Sequence, residues 1–273
     1  MKRTVQTLIL LLLFADLKAQ SLRYAVSMPY VQLGAYSIEQ DAFGFTGNQA
    51  ALAGIKHTSL GIFGERRFML KENSAYNIAA AFNGGRLGNF GIQVNYAGFS
   101  GFNESRAGLA YARSLGEKAS VGVQFNYYNY RIPGYDGANA VNFEGGVLYK
   151  LSKQFTAGLH VYNPVGGDLG KEDEKLAYAY KFGLGYDPSE NIFIATEIIK
   201  EEGRDVNVNG GISYQFLKKF FARAGFTSVS SSFYAGAGIG LKGIRIDITS
   251  SYHQQLGFSP GLLIHTDFNK GSK

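Results

Sequence analysis

The chain has 273 residues, 45% of them apolar and 18% charged, with 36 Gly, 21 Phe, 18 Tyr, no Cys and no Trp. That length holds one large domain or two small ones, and the missing Cys excludes a disulfide framework, a thiolate metal site and a cysteine nucleophile. The formal charge of +6 is spread without a run of five like charges, so a nucleic-acid surface has no patch to rest on.

Residues 1–19, MKRTVQTLILLLLFADLKA, predict a signal peptide. Lys2 and Arg3 give the basic start, Thr7 to Phe14 the apolar centre, and Ala19 a small residue for cleavage. The apolar run is shorter than the roughly 20 residues that span a bilayer. Loss of Lys2, Arg3, Asp16 and Lys18 leaves 24 basic and 20 acidic residues, a net charge of +4. No later stretch is long enough for a membrane helix, so an exported chain that enters a membrane must do so as a barrel.

Residues 20–56 lack strong alternation and predict a non-barrel N-terminal segment, periplasmic or plugging a lumen. Within it, GAYSIEQDAFGFTGNQAALAG (34–54) is small and Gly-rich, with Asn48 placed to cap a helical turn through Gln49 to Ala53.

From 57 to 268 the pattern changes to about fourteen alternating segments. They fall near 58–70, 75–83, 88–98, 104–114, 119–131, 140–150, 154–163, 176–186, 191–200, 205–216, 219–228, 232–241, 244–253 and 259–268. In the third, Phe90, Ile92, Val94 and Tyr96 share one parity and Gly91, Gln93 and Asn95 the other, the signature of a strand with one apolar and one polar face. A strand of about ten residues tilted in a barrel wall crosses an outer membrane's apolar band, whereas soluble strands are mostly about 5–6 residues long.

The connections predict two unlike rims. SLGEK, KLSKQ, DPSEN, FLKKF and GLKGI are tight, while GFSGFNES, RIPGYDGANA, NPVGGDLGKEDEKLA and KEEGRDV are longer or richer in Gly, Pro and charge. Short turns on one side and longer loops on the other are the asymmetry of an outer-membrane barrel, short turns periplasmic. An even strand count puts both barrel ends on that side.

Facing follows from parity. Phe155, Ala157, Leu159 and Val161 oppose Gly158 and His160; Tyr178, Tyr180, Phe182 and Leu184 oppose Lys181 and Gly183. Phe220, Ala222, Ala224 and Phe226 oppose Arg223 and Gly225; Ile244, Ile246 and Ile248 oppose Arg245, Asp247 and Thr249. A charge facing mid-bilayer lipid costs about 2–4 kcal/mol, so the polar face is the inner one. Arg106, Glu144, His160, Lys181, Glu197, Arg223, Arg245 and Asp247 are the expected lumen residues, lining a wet interior in which charges pair across strands. Tyr76, Tyr96, Tyr149, Tyr162, Tyr186 and Tyr214 fall near strand ends, as expected for an interfacial girdle.

The 34–54 stretch resembles the N-terminal signature of FadL-like outer-membrane proteins and their PorV/PorQ relatives, in which a Gly/Ala-rich run with acidic residues leads into Asn-Pro-Ala. Gly34, Asp41, Asn48, Gln49 and Ala50 carry the match, with Gln49 where the family has Pro. The resemblance implies a fourteen-stranded barrel with an N-terminal plug. It implies either passive transport of hydrophobic compounds or a type IX secretion-associated docking role. The final stretch SPGLLIHTDF resembles a barrel-insertion signal ending in Phe268, with 269–273 as a tail.

Other motifs point away from catalysis. Gly236, Gly238 and Gly240 have period two, and Lys242 is followed by Gly243, so GAGIGLKG is a strand face and not a phosphate loop. His57, His160, His253 and His265 lack metal-ligand spacing. The acidic stretch 166–175 lacks spaced calcium ligands and reads as a solvated exterior loop. The expectation is an all-β, transmembrane antiparallel barrel of about fourteen strands in the cell outer membrane. It is non-enzymatic and free of cofactors and metals. Its partners are outer-membrane lipid and either a small hydrophobic ligand or secretion and envelope proteins, the latter meeting loops 132–139 and 163–175.

Overall fold

The computed structural model describes residues 28–131, 134, 137–165 and 176–268. The predicted signal peptide, the tail 269–273 and the acidic stretch 166–175 lie outside the described residues.

Fourteen strands close into one barrel, each antiparallel to its sequence neighbours, with the first paired to the last. They are β1 (Ser59–Arg66), β2 (Ser74–Asn83), β3 (Asn89–Phe99), β4 (Phe102–Leu115), β5 (Ala119–Arg131), β6 (Ala138–Lys150) and β7 (Phe155–Tyr162). The others are β8 (Ala179–Ser189), β9 (Ile192–Glu201), β10 (Asn207–Phe216), β11 (Phe220–Thr227), β12 (Ser232–Leu241), β13 (Ile244–His253) and β14 (Gly257–Asp267). Closure leaves no unpaired strand edge, which a bilayer demands because hydrocarbon offers backbone groups no partner.

The alternation holds around the wall. Phe90, Ile92, Val94 and Tyr96 are exposed while Gln93 is buried. Ile244, Ile246 and Ile248 face out and Asp247 and Thr249 face in. Apolar side chains therefore coat the outside, and polar ones the inside.

Three expectations need correction. GFSGFNES is not a long loop: Phe99 pairs with Phe102 across a two-residue turn. The first strand stops at Arg66 instead of running to 70, because Phe68 and Met69 take φ of 52° and 60° and turn the chain out of the sheet. Tyr162 does not join the girdle; it points inward, accepting from Asn142 Nδ2 at 2.8 Å. Tyr76, Tyr96, Tyr149 and Tyr214 are outward and exposed, and Tyr186 stacks on exposed Phe155 with ring centroids 4.3 Å apart.

The interior is filled by the segment before β1. A helix Met28–Gln32, a 3-10 turn Leu33–Tyr36, a helical turn Gly44–Gly47 and a 3-10 helix Gln49–Gly54 pack inside the wall. Val31, Ala35, Tyr36, Phe43 and Leu52 are wholly buried, in one core with Phe63, Ala79, Ala112 and Leu263 of the strands. Asn48 caps the last turn as expected, its side chain accepting from Ala50 N at 3.1 Å.

The wall is shaped for this stopper. A Cβ at Gly61 would strike the Phe43 ring, at Gly91 Phe45, at Gly146 the Asn48 amide, at Gly183 the Tyr36 ring and at Gly236 the Tyr30 ring. These five glycines are sockets for plug side chains, each set by close approach.

Candidate functional site

Polar clamps hold the plug at separate positions around the wall. Tyr30 donates to Asp247 Oδ2 on β13 at 2.9 Å, and Tyr36 to Glu197 Oε2 on β9 at 2.8 Å. The Asn48 amide donates to the Val147 and Leu159 carbonyls at 3.3 and 3.0 Å. Asn89 on β3 donates to the Leu52 and Ile55 carbonyls. Asp187 on β8 accepts from Ser37 Oγ and Ile38 N. Burial, with Glu197 alongside, raises the Tyr36 phenol well above its ordinary range, so it remains a donor.

Glu144 on β6 is the hub of the second layer. It accepts from Arg106 Nη1 at 3.0 Å, Gln124 Nε2 at 3.1 Å, Asn126 Nδ2 at 2.8 Å and Gln49 Nε2 at 2.8 Å, and lies 3.0 Å from His160 Nε2. Arg106 also reaches Gln93 Oε1 at 3.3 Å and sits over the Tyr162 ring. Gln49, the departure from Asn-Pro-Ala, thus supplies a donor that a proline could not.

The remaining expected lumen residues face inward too. Arg245 makes two bonds to Asp247 and lies over the Phe221 ring. Arg223 donates to the Tyr30 carbonyl at 3.1 Å and stands 3.9 Å from the Asp41 carboxylate. Burial raises the Asp41 carboxyl, but the positive charges of His265, Arg223 and Arg245 and the Phe43 backbone N–H outweigh it and leave the group below its ordinary value. Lys181 on β8 is half-buried beside His160. Of the expected plug residues, Ala50 is buried among the core side chains and Gly34 has open space where a Cβ would stand.

The expected wet lumen is therefore corrected over much of its height. Arg106, Glu144, His160, Glu197 and Asp247 are all at most 3% exposed, because plug and cross-strand partners replace water. No cluster of His and carboxylates that could hold a metal occurs among the described residues.

Open space remains above the plug. A cavity of about 880 Å³ is lined by Met28, Gln32 and Thr46 of the plug and by Asn95, Arg106, His160, Tyr162 and Lys181 of the wall. It extends to residues 203–205, 229–230 and 256, in the connections leaving odd-numbered strands, which is the rim opposite the tight turns. His160 Nδ1 has no hydrogen-bond partner.

A second space of about 680 Å³ lies on the outer wall. Ile212, Phe226, Phe233, Tyr252 and Phe258 flank it, and Gly210, Gly211 and Gly225 form its back. Both spaces border β10, at successive positions: Asn207 and Asn209 line the cavity and Gly210 and Gly211 the groove, with Leu33 of the plug and Tyr234 behind Gly211. Tyr234 closes the wall from inside, donating to the Gly210 carbonyl at 3.1 Å with its ring edge-on to Tyr30.

Known structures share this architecture. The chain superposes on the CymD monoaromatic hydrocarbon channel with a TM-score of 0.66 and 12% identity, covering 89% of this chain and 97% of that one. The fold is that of FadL-type channels. A Pseudomonas aeruginosa FadL homologue gives a TM-score of 0.62 at 9% identity, over 91% of this chain and 99% of that one. The Ralstonia pickettii toluene transporter TbuX gives 0.61 at 12% identity, over 93% and 100%. No family model matches the sequence, and no curated protein does.

Several residues escaped sequence reasoning. Gln93, Gln124, Asn126 and Asn142 were visible as inward parity next to Arg106 and Glu144. Tyr30 and Tyr36 carried no signal, since nothing in an irregular segment says which strand a phenol will meet.

Proposed function

We propose that this protein is a non-enzymatic outer-membrane channel that passes small apolar or amphipathic compounds passively. The observation carrying the reading is that an inner cavity and a lipid-facing groove border the same strand, β10, at the successive residues Asn209 and Gly210. A compound entering the cavity meets a plug below and, beside it, a wall with little side-chain bulk. A shift of Tyr234 together with Leu33 of the plug would join the two spaces and release an apolar compound into the bilayer, which suits compounds such as the monoaromatic hydrocarbons for which the structural relatives are named. Arg106, His160, Lys181 and Tyr162 would face the compound, while Glu197, Arg223, Arg245 and Asp247 hold the plug.

The test is uptake of a radiolabelled monoaromatic hydrocarbon by cells with the protein in their outer membrane. Gly210→Leu, whose side chain enters the groove beside Phe226, should slow uptake with normal protein levels. Unchanged uptake relative to cells lacking the protein would refute the reading.

The second reading is a PorV/PorQ-like docking barrel for secreted or envelope proteins. The clamped, socketed plug favours it, because a sealed barrel needs no passage. It calls for co-purification of a partner that is lost when loops 132–139 and 163–175 are trimmed.

A further inference from the structure

The two rims of the barrel differ in charge. The six tight connections that leave even-numbered strands hold six cations and two carboxylates, whereas the described residues of the seven that leave odd-numbered strands hold three cations and three carboxylates. The cations of the tight rim are exposed: Arg86, Lys118, Lys153, Lys218, Lys219 and Lys242. Among the described residues, none of these side chains makes a hydrogen bond or ion pair. On the opposite rim Arg67 lies 3.6 Å from Glu65, and Arg204 lies 3.4 Å from Glu201.

The same turns present leucine. Leu115 precedes Lys118, Leu151 precedes Lys153, Leu217 precedes Lys218 and Leu241 precedes Lys242; all four leucines are exposed, Leu217 by 79%. Leu115 and Leu241 still lie on strands, at the outward parity that touches lipid. Arg113 shares that parity two residues from Leu115 and is itself exposed. The β8–β9 turn, with Glu190, is the exception.

We propose that this leucine-tipped basic rim binds the headgroups of anionic phospholipids in the periplasmic leaflet. Outward leucines enter the acyl boundary, and the adjoining ammonium groups, on flexible stems, reach the phosphates. An aqueous acidic protein would account for the cations but not for Leu115 and Leu241 on the lipid-facing parity. The binding would fix the depth and orientation of the barrel whatever passes through it.

The chain has no Trp, so Leu217→Trp is a single fluorescent reporter. In vesicles of phosphatidylcholine with phosphatidylglycerol, we expect quenching by brominated phosphatidylglycerol to exceed that by brominated phosphatidylcholine by about fivefold at low salt. The preference should shrink as salt rises, since exposed charges are screened. A quadruple variant, Lys118→Glu, Lys153→Glu, Lys218→Glu and Lys242→Glu, should abolish it; the corresponding Lys→Gln set, milder for folding, should reduce it. Heat-modifiable migration on gels confirms that each barrel is folded. Equal quenching by both lipids in the parent protein would overturn the proposal. So would a reporter quenched by aqueous acrylamide and not by brominated lipid, the outcome expected of a protein partner.

Discussion

Tyr36 offers the sharpest test of the idea that plug and wall are keyed to each other. Its ring is wholly buried and occupies the space beside Gly158, Gly183 and Gly185, and its hydroxyl donates to Glu197. Tyr36→Ala removes a large aromatic from a packed site, a change that costs about 3–5 kcal/mol where the cavity does not collapse. With the barrel folded in both states, that cost falls on the docked plug. At 1.4 kcal/mol per factor of ten, the undocked population should rise by about two to four orders of magnitude. Tyr36→Phe keeps the ring and leaves Glu197 Oε2 short of its donor, which costs about 1–3 kcal/mol. Gly183→Val attacks the same contact from the wall, overfilling the socket at about 1–3 kcal/mol. The chain has no Cys, so Ala35→Cys, buried in the parent, reports undocking by its rate of thiol labelling; planar-bilayer conductance reports it independently. Labelling should be fastest with Tyr36→Ala, with the other two intermediate. If all three label as slowly as the parent and conduct no more current, the sockets do not hold the plug and the argument fails.

Other consequences can be measured directly. Arg106→Ala leaves Glu144 buried without its cation; breaking a buried pair costs about 3–5 kcal/mol, and the temperature of heat-modifiable unfolding should drop while Arg106→Lys recovers part of the loss. Asp41 has a lowered carboxyl pKa in the folded protein, so its contribution is complete above the ordinary carboxylate range, about pH 4, and is lost as pH falls through the lower folded value. Conductance openings should therefore increase only under strongly acidic conditions, and Asp41→Asn should open the plug equally at neutral pH and flatten that dependence. Val123→Arg puts a charge on an outward, exposed position of β5; at mid-bilayer this costs about 2–4 kcal/mol, and urea titration of the protein folded in vesicles should show that loss. Lys181→Gln, on the inner face, should leave the same titration nearly unchanged.

Much of the barrel could be read from the residues because its constraint is periodic. A one-residue slip would turn every side chain of a strand to the other face, so Ile244, Ile246 and Ile248 against Arg245 and Asp247 leave one orientation in a bilayer. The same parity placed Arg106, Glu144, His160 and Lys181 inside. Strand ends and rim residues were less secure. Tyr162 falls at a strand end, which suggested the girdle, but it shares the inward parity of Gly158 and His160, and Asn142 and Arg106 supply polar partners for its hydroxyl and ring there.

By itself the sequence determined the strand count, the inside and outside of the wall, and the presence of a distinct Gly-rich segment before it. These follow from two-residue alternation and from the cost of charge in hydrocarbon, both local properties. Only the tertiary structure decided that this segment is a fitted stopper, that Gln49 completes the shell of Glu144, and that Tyr30 meets Asp247 across 217 positions of chain. Those contacts arise from barrel closure, which brings distant residues into hydrogen-bond range, and no repeat along the chain records them.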